Sequence, residues 1–275
     1  MNTAPILVIG STGKTGSRIV RSLTEKGFPV REGSRNSAIP FDWEKPETWA
    51  AALARRQGGL CLLFPGSRLP WRCRKDRGFD QSCQGSRCPQ AGPAVGQGEA
   101  HARHCEEIVR NCGLDFTLVR AAWFAQNFSE GYLQAPVLDG VVALPAGDIK
   151  EPIADVDDIA DVAVAALTDD RHNGELYEIT GPRLLTFAEA AAEISSAAAI
   201  PVQYVPITLE QFHAGMLDIG GPLIADVFTE ICRETLDGHN AYLTDGVQRA
   251  LGRAPRDFAD FCSNAAASGA WKKAA

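Results

Sequence analysis

The sequence lacks three features that would direct it to other functions. Its eight cysteines include no Cys-x-x-Cys pair, so a thioredoxin-like motif and a paired zinc ribbon are both absent. It has no excess of basic residues, because 27 lysines and arginines against 34 acidic residues give a net charge of −7; no nucleic-acid or membrane partner is therefore expected. Its apolar runs are far shorter than the roughly 20 residues that cross a bilayer. We expect a cytoplasmic protein with reduced cysteines.

Two common kinds of active site are also missing. None of the four tyrosines is followed by a lysine four residues later, so the Tyr/Lys acid pair that serves carbonyl reduction in many dehydrogenases is absent. No spacing of His, Cys and Asp matches a zinc site, so no metal is expected. The acidic cluster near residue 157 is best interpreted as a helix N-terminus with charges that complement the helix dipole, and Asp157 or Asp158 is the predicted N-cap. The cluster comprises Asp155, Asp157, Asp158 and Asp161.

Branched aliphatic residues are scarce in the second quarter of the chain. There is no isoleucine from 40 to 107 and a single valine, Val95, from 31 to 108. A doubly wound sheet needs two buried strands in this stretch, and "LCLLF" at 60–64 is the sole candidate. The basic run "WRCRKDRGFDQSCQGSRC" at 71–88 holds three cysteines, but it has neither paired zinc spacing nor a nucleic-acid-binding fold around it.

The chain opens with a strand, a glycine-rich turn and a helix. The apolar run "PILVIG" is followed by "GSTGKTG" and by "SRIVRSLTEKG", where apolar residues recur at helical spacing. "FPVREGSR" predicts a second strand, so the first forty residues form a βαβ unit of a parallel sheet. Gly10, Gly13 and Gly16 have the spacing that permits a tight turn and the close approach of main chain to a pyrophosphate. This motif predicts dinucleotide binding at the helix N-terminus.

Single positions decide between alternatives at this motif. A P-loop would need a glycine at position 8, where Val8 lies within the strand, so the turn is too short for that motif. The second strand ends in Gly33-Ser34-Arg35 and not in an acidic residue. An acidic side chain would bind the ribose 2′-hydroxyl, whereas Arg35 can pair with a 2′-phosphate. NADP(H) is therefore favoured over NAD(H), and a solvated Arg35 is the alternative.

A strand with an aromatic loop after it lies in the middle of the chain. "LDFTLVRAAWFAQNF" predicts a strand to Arg120 and then the loop. Aromatic residues at the carboxyl end of a strand suit a nicotinamide and substrate pocket, although plain core packing would also place them there. The candidate pocket residues are Trp123, Phe124, Asn127 and Phe128. We expect a Rossmann-type, doubly wound α/β domain over 1–180 and a mostly helical substrate lobe over 181–275.

Several segments together resemble one family. "ILVIGSTGKTGSRIV", "FDWEKPETW", "GLDFTLVRAAWFAQNFSEG", "DVDDIADVAVAAL" and "LYEITGPRLLTFAEAAAEI" are similar to the NmrA-like, isoflavone-reductase-like branch of atypical short-chain dehydrogenases, and most similar to its ergot-alkaloid (festuclavine and agroclavine) dehydrogenase-like subgroup. The resemblance covers residues 4–54 and 98 to about 265. It implies a Rossmann fold with a small C-terminal lobe and a substrate cleft beside "WFAQNF". It also implies NADP(H) bound by Gly10, Thr12, Gly13, Lys14, Thr15, Gly16 and Arg35. The family's proline after the arginine of the loop is Ala121 here.

The resemblance fails over residues 55–97, although the spacing between the matching segments is about right. Members of this family carry a strand with a Pro-Asp loop, an Ala-rich helix and a second strand in this interval. Codons for 92–97, read one base later, are compatible with Val-Leu-Leu-Ser-Gly-Arg, which resembles that second strand. Codons for 71–79, shifted in the same way, are compatible with an apolar helix. One offset thus serves the whole segment.

We therefore hypothesise a shifted reading frame, with an extra base near Ala54/Arg55 and a lost base near Gln97/Gly98, in the gene or in its sequencing. If the segment is translated as written, we expect two strands to be lost from the centre of the sheet and the chain to be an inactive product.

Three functions follow from these patterns. The first is an NADP(H)-dependent oxidoreductase that transfers hydride to a small iminium, quinone-like or activated alkene substrate, since hydride addition to an iminium needs no proton donor. The second is a non-catalytic NAD(P)-binding redox sensor, and the third is an inactive product of a frame-shifted gene. We expect a small-molecule partner and a monomer or homodimer.

Overall fold

The computed structural model describes residues 5–54, 60–62, 90–96, 106–107, 109–111 and 115–272. Its strands are β1 (Ile6–Ile9), β2 (Val30–Gly33), β3 (Leu60–Leu62), β4 (Gln90–Gly96), β5 (Phe116–Ala121), β6 (Val141–Leu144), β7 (Lys150–Glu151), β8 (Leu176–Ile179), β9 (Leu185–Thr186) and β10 (Gln203–Pro206). Its helices are α1 (Lys14–Glu25), α2 (Trp49–Leu53), α3 (Asn127–Glu130), α4 (Gln134–Asp139), α5 (Val156–Thr168), α6 (Phe187–Ala198), α7 (Leu209–Thr235), α8 (Gly246–Leu251) and α9 (Phe258–Ser268).

Six strands form one parallel sheet in the order β2-β1-β3-β4-β5-β8. The chain moves outward from β1 to β2 and then returns to the other side of β1 with β3. Ligands of open α/β sheets bind at this reversal, outside the carboxyl ends of the strands. The glycine-rich turn follows β1 directly, so it lies at the predicted position. The Rossmann-type, doubly wound fold is confirmed.

The first strand is buried on both faces, as a central strand of a parallel sheet should be. Ile6 and Val8 pack with Ile19 and Leu23 of α1 and with residues of α5. Leu7 and Ile9 face the other way, where they contact a cluster of aromatic and aliphatic residues. That cluster comprises Phe41, Trp49, Ala52 and Leu53. The two faces of β1 therefore fix α1 and its preceding turn against the sheet.

Strands β3 and β4 occupy the centre of the sheet. The expectation that both would be lost from it is corrected by the pairing of β3 with β1 and of β4 with β5. The strand predicted at 60–64 is confirmed over Leu60–Leu62. The register between β4 and β5 shifts between Ala91 and Ala94, which brackets Pro93; a proline in a sheet is tolerated at such an irregularity because it donates no ladder hydrogen bond. The helix hypothesised for 71–79 lies outside the described residues.

The start of α5 differs from the prediction by two residues. Its N-cap is Asp155 and not Asp157 or Asp158, because the Asp155 side chain accepts a hydrogen bond from the Asp157 N–H at 2.8 Å. Asp157 and Asp158 instead lie in the first turn. There their negative charges interact favourably with the helix dipole, as the sequence predicted.

A second core lies beyond the sheet and involves segments from both halves of the chain. β6 pairs with β10 in parallel, and β7 pairs with β9 in antiparallel. The buried side chains of this core include four phenylalanines from α3, α6 and α9: Phe128, Phe187, Phe258 and Phe261. The chain between the aromatic loop and α5 thus packs with the C-terminal region.

Helix α7 is bent at Gly221, which has a φ of +73° and is followed by Pro222. Among the described residues, no helix has the length and apolarity needed to cross a bilayer.

Candidate cofactor and substrate site

The glycine-rich turn has the tight geometry that its spacing predicts. Gly10 has a φ of +78°, a region that glycine adopts without strain. Its N–H donates to the Gly33 carbonyl at 2.8 Å, and its own carbonyl accepts from the Gly13 N–H at 3.0 Å. A Cβ on Gly13 would lie 3.3 Å from the Gly10 oxygen. The turn therefore brings bare main chain to the carboxyl end of β1.

Helix α1 begins at Lys14, and among the residues that the structure describes no side chain caps its N-terminus. Gly13 is the N-cap, and the first turn contains no acidic residue. The first N–H groups of a helix need acceptors, and the helix dipole makes this end favourable for an anion. Thr12 and Gly13 are exposed at this end, whereas Thr15 and Gly16 are buried in the packing of the helix. These features fit the pyrophosphate of a dinucleotide.

Strand β2 ends beside this turn. A Cβ on Gly33 would lie 3.1 Å from the Ile9 Cα, so a larger residue would push the two strands apart by a few tenths of an ångström. Ser34 and Ser37 then form a turn, with their hydroxyl oxygens 2.7 Å apart. Arg35 is exposed within it. Its guanidinium is available to a ligand at this edge of the sheet.

The aromatic loop is fixed to the start of α5 by main-chain and side-chain hydrogen bonds. The Ala154 N–H donates to the Trp123 carbonyl at 2.8 Å, and Phe124 and Ala154 form an isolated parallel bridge. The buried amide of Gln126 donates to Asp155 at 2.7 Å and accepts from the Val156 N–H at 2.8 Å. Gln126 was not predicted as a site residue, since a single glutamine in a loop carries no periodic signal.

The glycine-rich turn and the aromatic loop meet through two basic residues of α1. Lys14 Nζ donates to Asn127 Oδ1 at 3.2 Å. One turn later, Arg18 pairs with Glu130 at 2.6 Å and with Asp157 at 2.6 Å. The helix that carries the predicted cofactor residues is thereby linked to both the loop and α5.

The four candidate pocket residues have different surroundings. Asn127 is half-buried and contacts Lys14. Trp123 is half-buried, and its ring packs edge-on against Phe187 with the centroids 5.4 Å apart. The Trp123 indole nitrogen is buried and has no hydrogen-bond partner in the part of the chain that the structure describes. Phe124 packs beside Ala154 and the start of α5.

Phe128 is fully buried in the second core, where its ring packs against Phe187 and Phe258. Of the predicted set, Trp123 and Asn127 are the two half-buried residues that carry a polar side-chain group.

A buried carboxylate lies near the aromatic loop. Glu151, in β7, is only 2% exposed, and its Oε1 has no hydrogen-bond partner within the described ranges. Burial, with a smaller contribution from the charge of Asp237, raises the pKa of Glu151 to about 8. Glu151 was not predicted as a site residue, because "KEPIAD" does not resemble a buried strand.

A network of charged side chains is centred on Arg120, near the carboxyl end of β5. Arg120 pairs with Glu106 through two hydrogen bonds of 2.7 Å and with Glu178 at 2.8 Å. These bonds hold the pKa of Arg120 well above its usual range. The network fixes the end of β5 from which the aromatic loop departs.

No protein-family model matches the chain. An NAD(P)H azoreductase from Xenophilus azovorans is 33% identical over 96% of this chain and 99% of its own length. An agroclavine dehydrogenase from Claviceps fusiformis is 28% identical over 94% and 96% of the two chains. Among solved structures, the NADPH complex of the quinone oxidoreductase QOR2 from Escherichia coli has a TM-score of 0.78 at 21% identity, and covers 94% of this chain and 99% of that one. NmrA, a negative transcriptional regulator in complex with NAD, has a TM-score of 0.71 at 16% identity, over 96% and 95% of the two chains.

Proposed function

Because the chain belongs to the NmrA-like, isoflavone-reductase-like branch of atypical short-chain dehydrogenases, a family of NAD(P)H-dependent oxidoreductases, we propose that it is an NADP(H)-dependent reductase of small electrophiles. The acceptor classes are iminium ions, quinone-like compounds and activated alkenes. Azo compounds join them, because the name of one relative states that chemistry.

One observation carries the proposal. The uncapped N-terminus of α1, with its glycine turn, is linked to the aromatic loop by the 3.2 Å hydrogen bond between Lys14 and Asn127. A dinucleotide has its pyrophosphate in the middle, and its nicotinamide riboside extends from one side of that group. A phosphate site and an aromatic loop held by one contact provide for both of these parts of such a ligand.

Each residue has a role in this proposal. Gly10, Gly13 and the first N–H groups of α1 bind the pyrophosphate, with Thr12, Thr15 and Gly16 completing the turn. Arg35 pairs with the 2′-phosphate, which gives the preference for NADP(H). When bound, the nicotinamide supplies a hydride.

Trp123 and Asn127 orient the acceptor at the end of β5, and Phe124 adds its ring to the apolar surface of the loop. Orientation of two reactants is itself a large part of catalysis, since it replaces a bimolecular encounter. The buried aromatic residues behind the loop exclude water from this side of the pocket.

A redox sensor is the second candidate, because a transcriptional regulator that binds NAD shares this fold. The two candidates differ in turnover. Steady-state oxidation of NADPH, measured with iminium, quinone, enone and azo acceptors, tests them. Turnover with at least one class supports the reductase, and stoichiometric binding without turnover on any class supports the sensor. Absence of binding by a folded chain supports the inactive product.

A further inference from the structure

The proposed acceptors differ in whether they need a proton. An iminium becomes a neutral amine on hydride addition, whereas a quinone, an enone or an azo compound also takes up a proton at a second atom. The sequence has no Tyr/Lys acid pair, and burial raises the pKa of Tyr132, which makes its phenol a weaker acid. A donor with a lowered pKa gives up its proton more readily and so suits a reductase of the second class better.

Lys14 is an ammonium placed between the phosphate turn and the aromatic loop. It is the first residue of α1, its side chain is half-buried, and its Nζ donates to Asn127 Oδ1. A Cβ on Gly131 would lie 3.0 Å from the same Nζ. The absence of a side chain at Gly131 thus provides the space in which the Lys14 ammonium lies beside the loop.

The charges around Lys14 leave it without a strong anionic partner. Glu130, on α3, is the nearest acidic influence, but its carboxylate is paired with Arg18, which also pairs with Asp157 at the start of α5. Among the described residues, Lys14 forms no ion pair, and one of its three N–H groups has a protein acceptor. Burial lowers the pKa of Lys14; Glu130 opposes the change and Arg18 adds to it.

We propose that Lys14 is the proton donor for acceptors that require one, held in place by Asn127. This inference rests on the proposed function. The acceptor gains two electrons as a hydride from the reduced nicotinamide, which is thereby oxidised. The N–H bond of the Lys14 ammonium breaks, a new O–H, N–H or C–H bond forms on the acceptor, and the neutral amine regains a proton from solvent.

The test compares two acceptors in one protein. We expect Lys14→Arg to keep a positive charge at the phosphate turn but to lose the donor, because a guanidinium does not deprotonate in this pH range. The ratio of kcat for a quinone or azo compound to kcat for an iminium should fall about 100-fold, the lower range for general acid catalysis. Lys26→Arg, on the exposed residue that follows α1, is the matched control and should leave the ratio unchanged.

Two further measurements separate donation from binding. The Kd for NADPH, measured without an acceptor, reports any loss of cofactor affinity in Lys14→Arg. An NMR titration of lysine Cε signals, with Lys14 assigned by its absence from the variant, should give a pKa below the ordinary lysine value. The kcat for a quinone should then fall as pH rises through that pKa, because the ammonium is the donor.

The outcomes are distinguishable. Turnover of no acceptor by the wild-type chain overturns the proposed function together with this inference. Turnover of iminium alone, or an equal loss on both acceptors in Lys14→Arg, overturns the inference and leaves the reductase proposal standing. An ordinary lysine pKa for Lys14 also counts against it.

Discussion

Gln126 and Asp155 are joined by a hydrogen bond of 2.7 Å from Nε2 to Oδ1, and both side chains are buried. The same amide accepts from the N–H of Val156, the first residue of α5. Two polar contacts therefore hold the aromatic loop to the helix that packs against α1. The position of Asn127, the next residue, depends on this anchor.

Replacement of Gln126 by leucine should lower the free energy of unfolding by about 2–4 kcal/mol, because it leaves a buried carboxylate and a buried N–H with fewer partners. Urea unfolding of the purified chain measures the loss. Gln134→Leu is the matched control, since Gln134 Nε2 makes one bond, to the Ala270 carbonyl at 3.0 Å; its effect should be about 1 kcal/mol. Equal losses in the two variants would contradict the anchor role.

Gly10→Ala should both strain the chain and weaken NADPH binding. The φ of +78° costs an L-residue about 1–2 kcal/mol, and the added methyl group stands in the phosphate turn. Gly27 provides the control, because its φ is +81° and no atom lies within 4 Å of its added Cβ. We expect similar destabilisation in Gly27→Ala with an unchanged Kd for NADPH, measured by titration. A parallel loss of affinity in both variants would argue against a phosphate site at Gly10.

Arg35→Ala should reduce affinity for NADPH by about 10-fold or more and leave affinity for NADH nearly unchanged, since a charge-assisted hydrogen bond contributes about 1.5–3 kcal/mol. Arg21→Ala, on the exposed side of α1, controls for the general loss of positive charge. Titration of both cofactors into both variants is the measurement. The same loss for NADH and NADPH would show that Arg35 does not read the 2′-phosphate.

Glu151 should make stability fall with rising pH. Its pKa is raised in the folded chain to about 8 from an unfolded value near 4.5, so the folded state holds a proton that the unfolded state has released. That contribution is fully present below pH ~4.5 and decreases by about 1.4 kcal/mol per pH unit until pH ~8. Glu151→Gln removes the dependence.

The free energy of unfolding of Glu151→Gln, relative to wild type, should therefore increase between pH 5 and pH 8. Glu25→Gln, at the exposed end of α1, controls for the loss of a carboxylate. A constant difference between Glu151→Gln and wild type across this range would mean that Glu151 is ionised in the folded chain.

The reading frame can be tested directly on the gene. We expect a resequenced gene to show one base fewer near Ala54/Arg55 and one base more near Gln97/Gly98 than the printed sequence requires. If the printed sequence is right, mass spectrometry of a tryptic digest of the expressed chain will detect peptides from 71–88, such as "GFDQSCQGSR". Those peptides, in a chain expressed from the natural gene, would exclude a sequencing error and leave a shift in the gene itself; relatives that encode residues 55–97 in this same uninterrupted frame would end the hypothesis.

The sequence predicted β1, the glycine-rich turn and α1 because all three depend on local patterns. The apolar run before Gly10 and the helical spacing after it are short-range signals, and the structure agrees with each of them. The N-cap of α5 was displaced by two residues, because several aspartates in a row satisfy the same preference. Only the geometry shows which carboxylate accepts the Asp157 N–H.

The contacts within the site could not be predicted, since they join segments that are distant in the sequence. Lys14 and Asn127 are 113 positions apart, and Arg18 and Asp157 are 139 apart. The burial of Glu151 is evident only once the C-terminal region packs over β7. Phe128 was a candidate pocket residue but is fully buried in the second core. An aromatic residue after a strand can serve either a pocket or a core, and the sequence pattern is the same for both.

The central claim is that this chain is a NADP(H)-dependent reductase, and steady-state oxidation of NADPH tests it most directly. The loss of NADPH absorbance should be followed with the purified chain and a panel of iminium, quinone, enone and azo acceptors. We predict saturable turnover with at least one class and a lower KM for NADPH than for NADH. Tight binding of NADPH with no turnover on any class would contradict the claim.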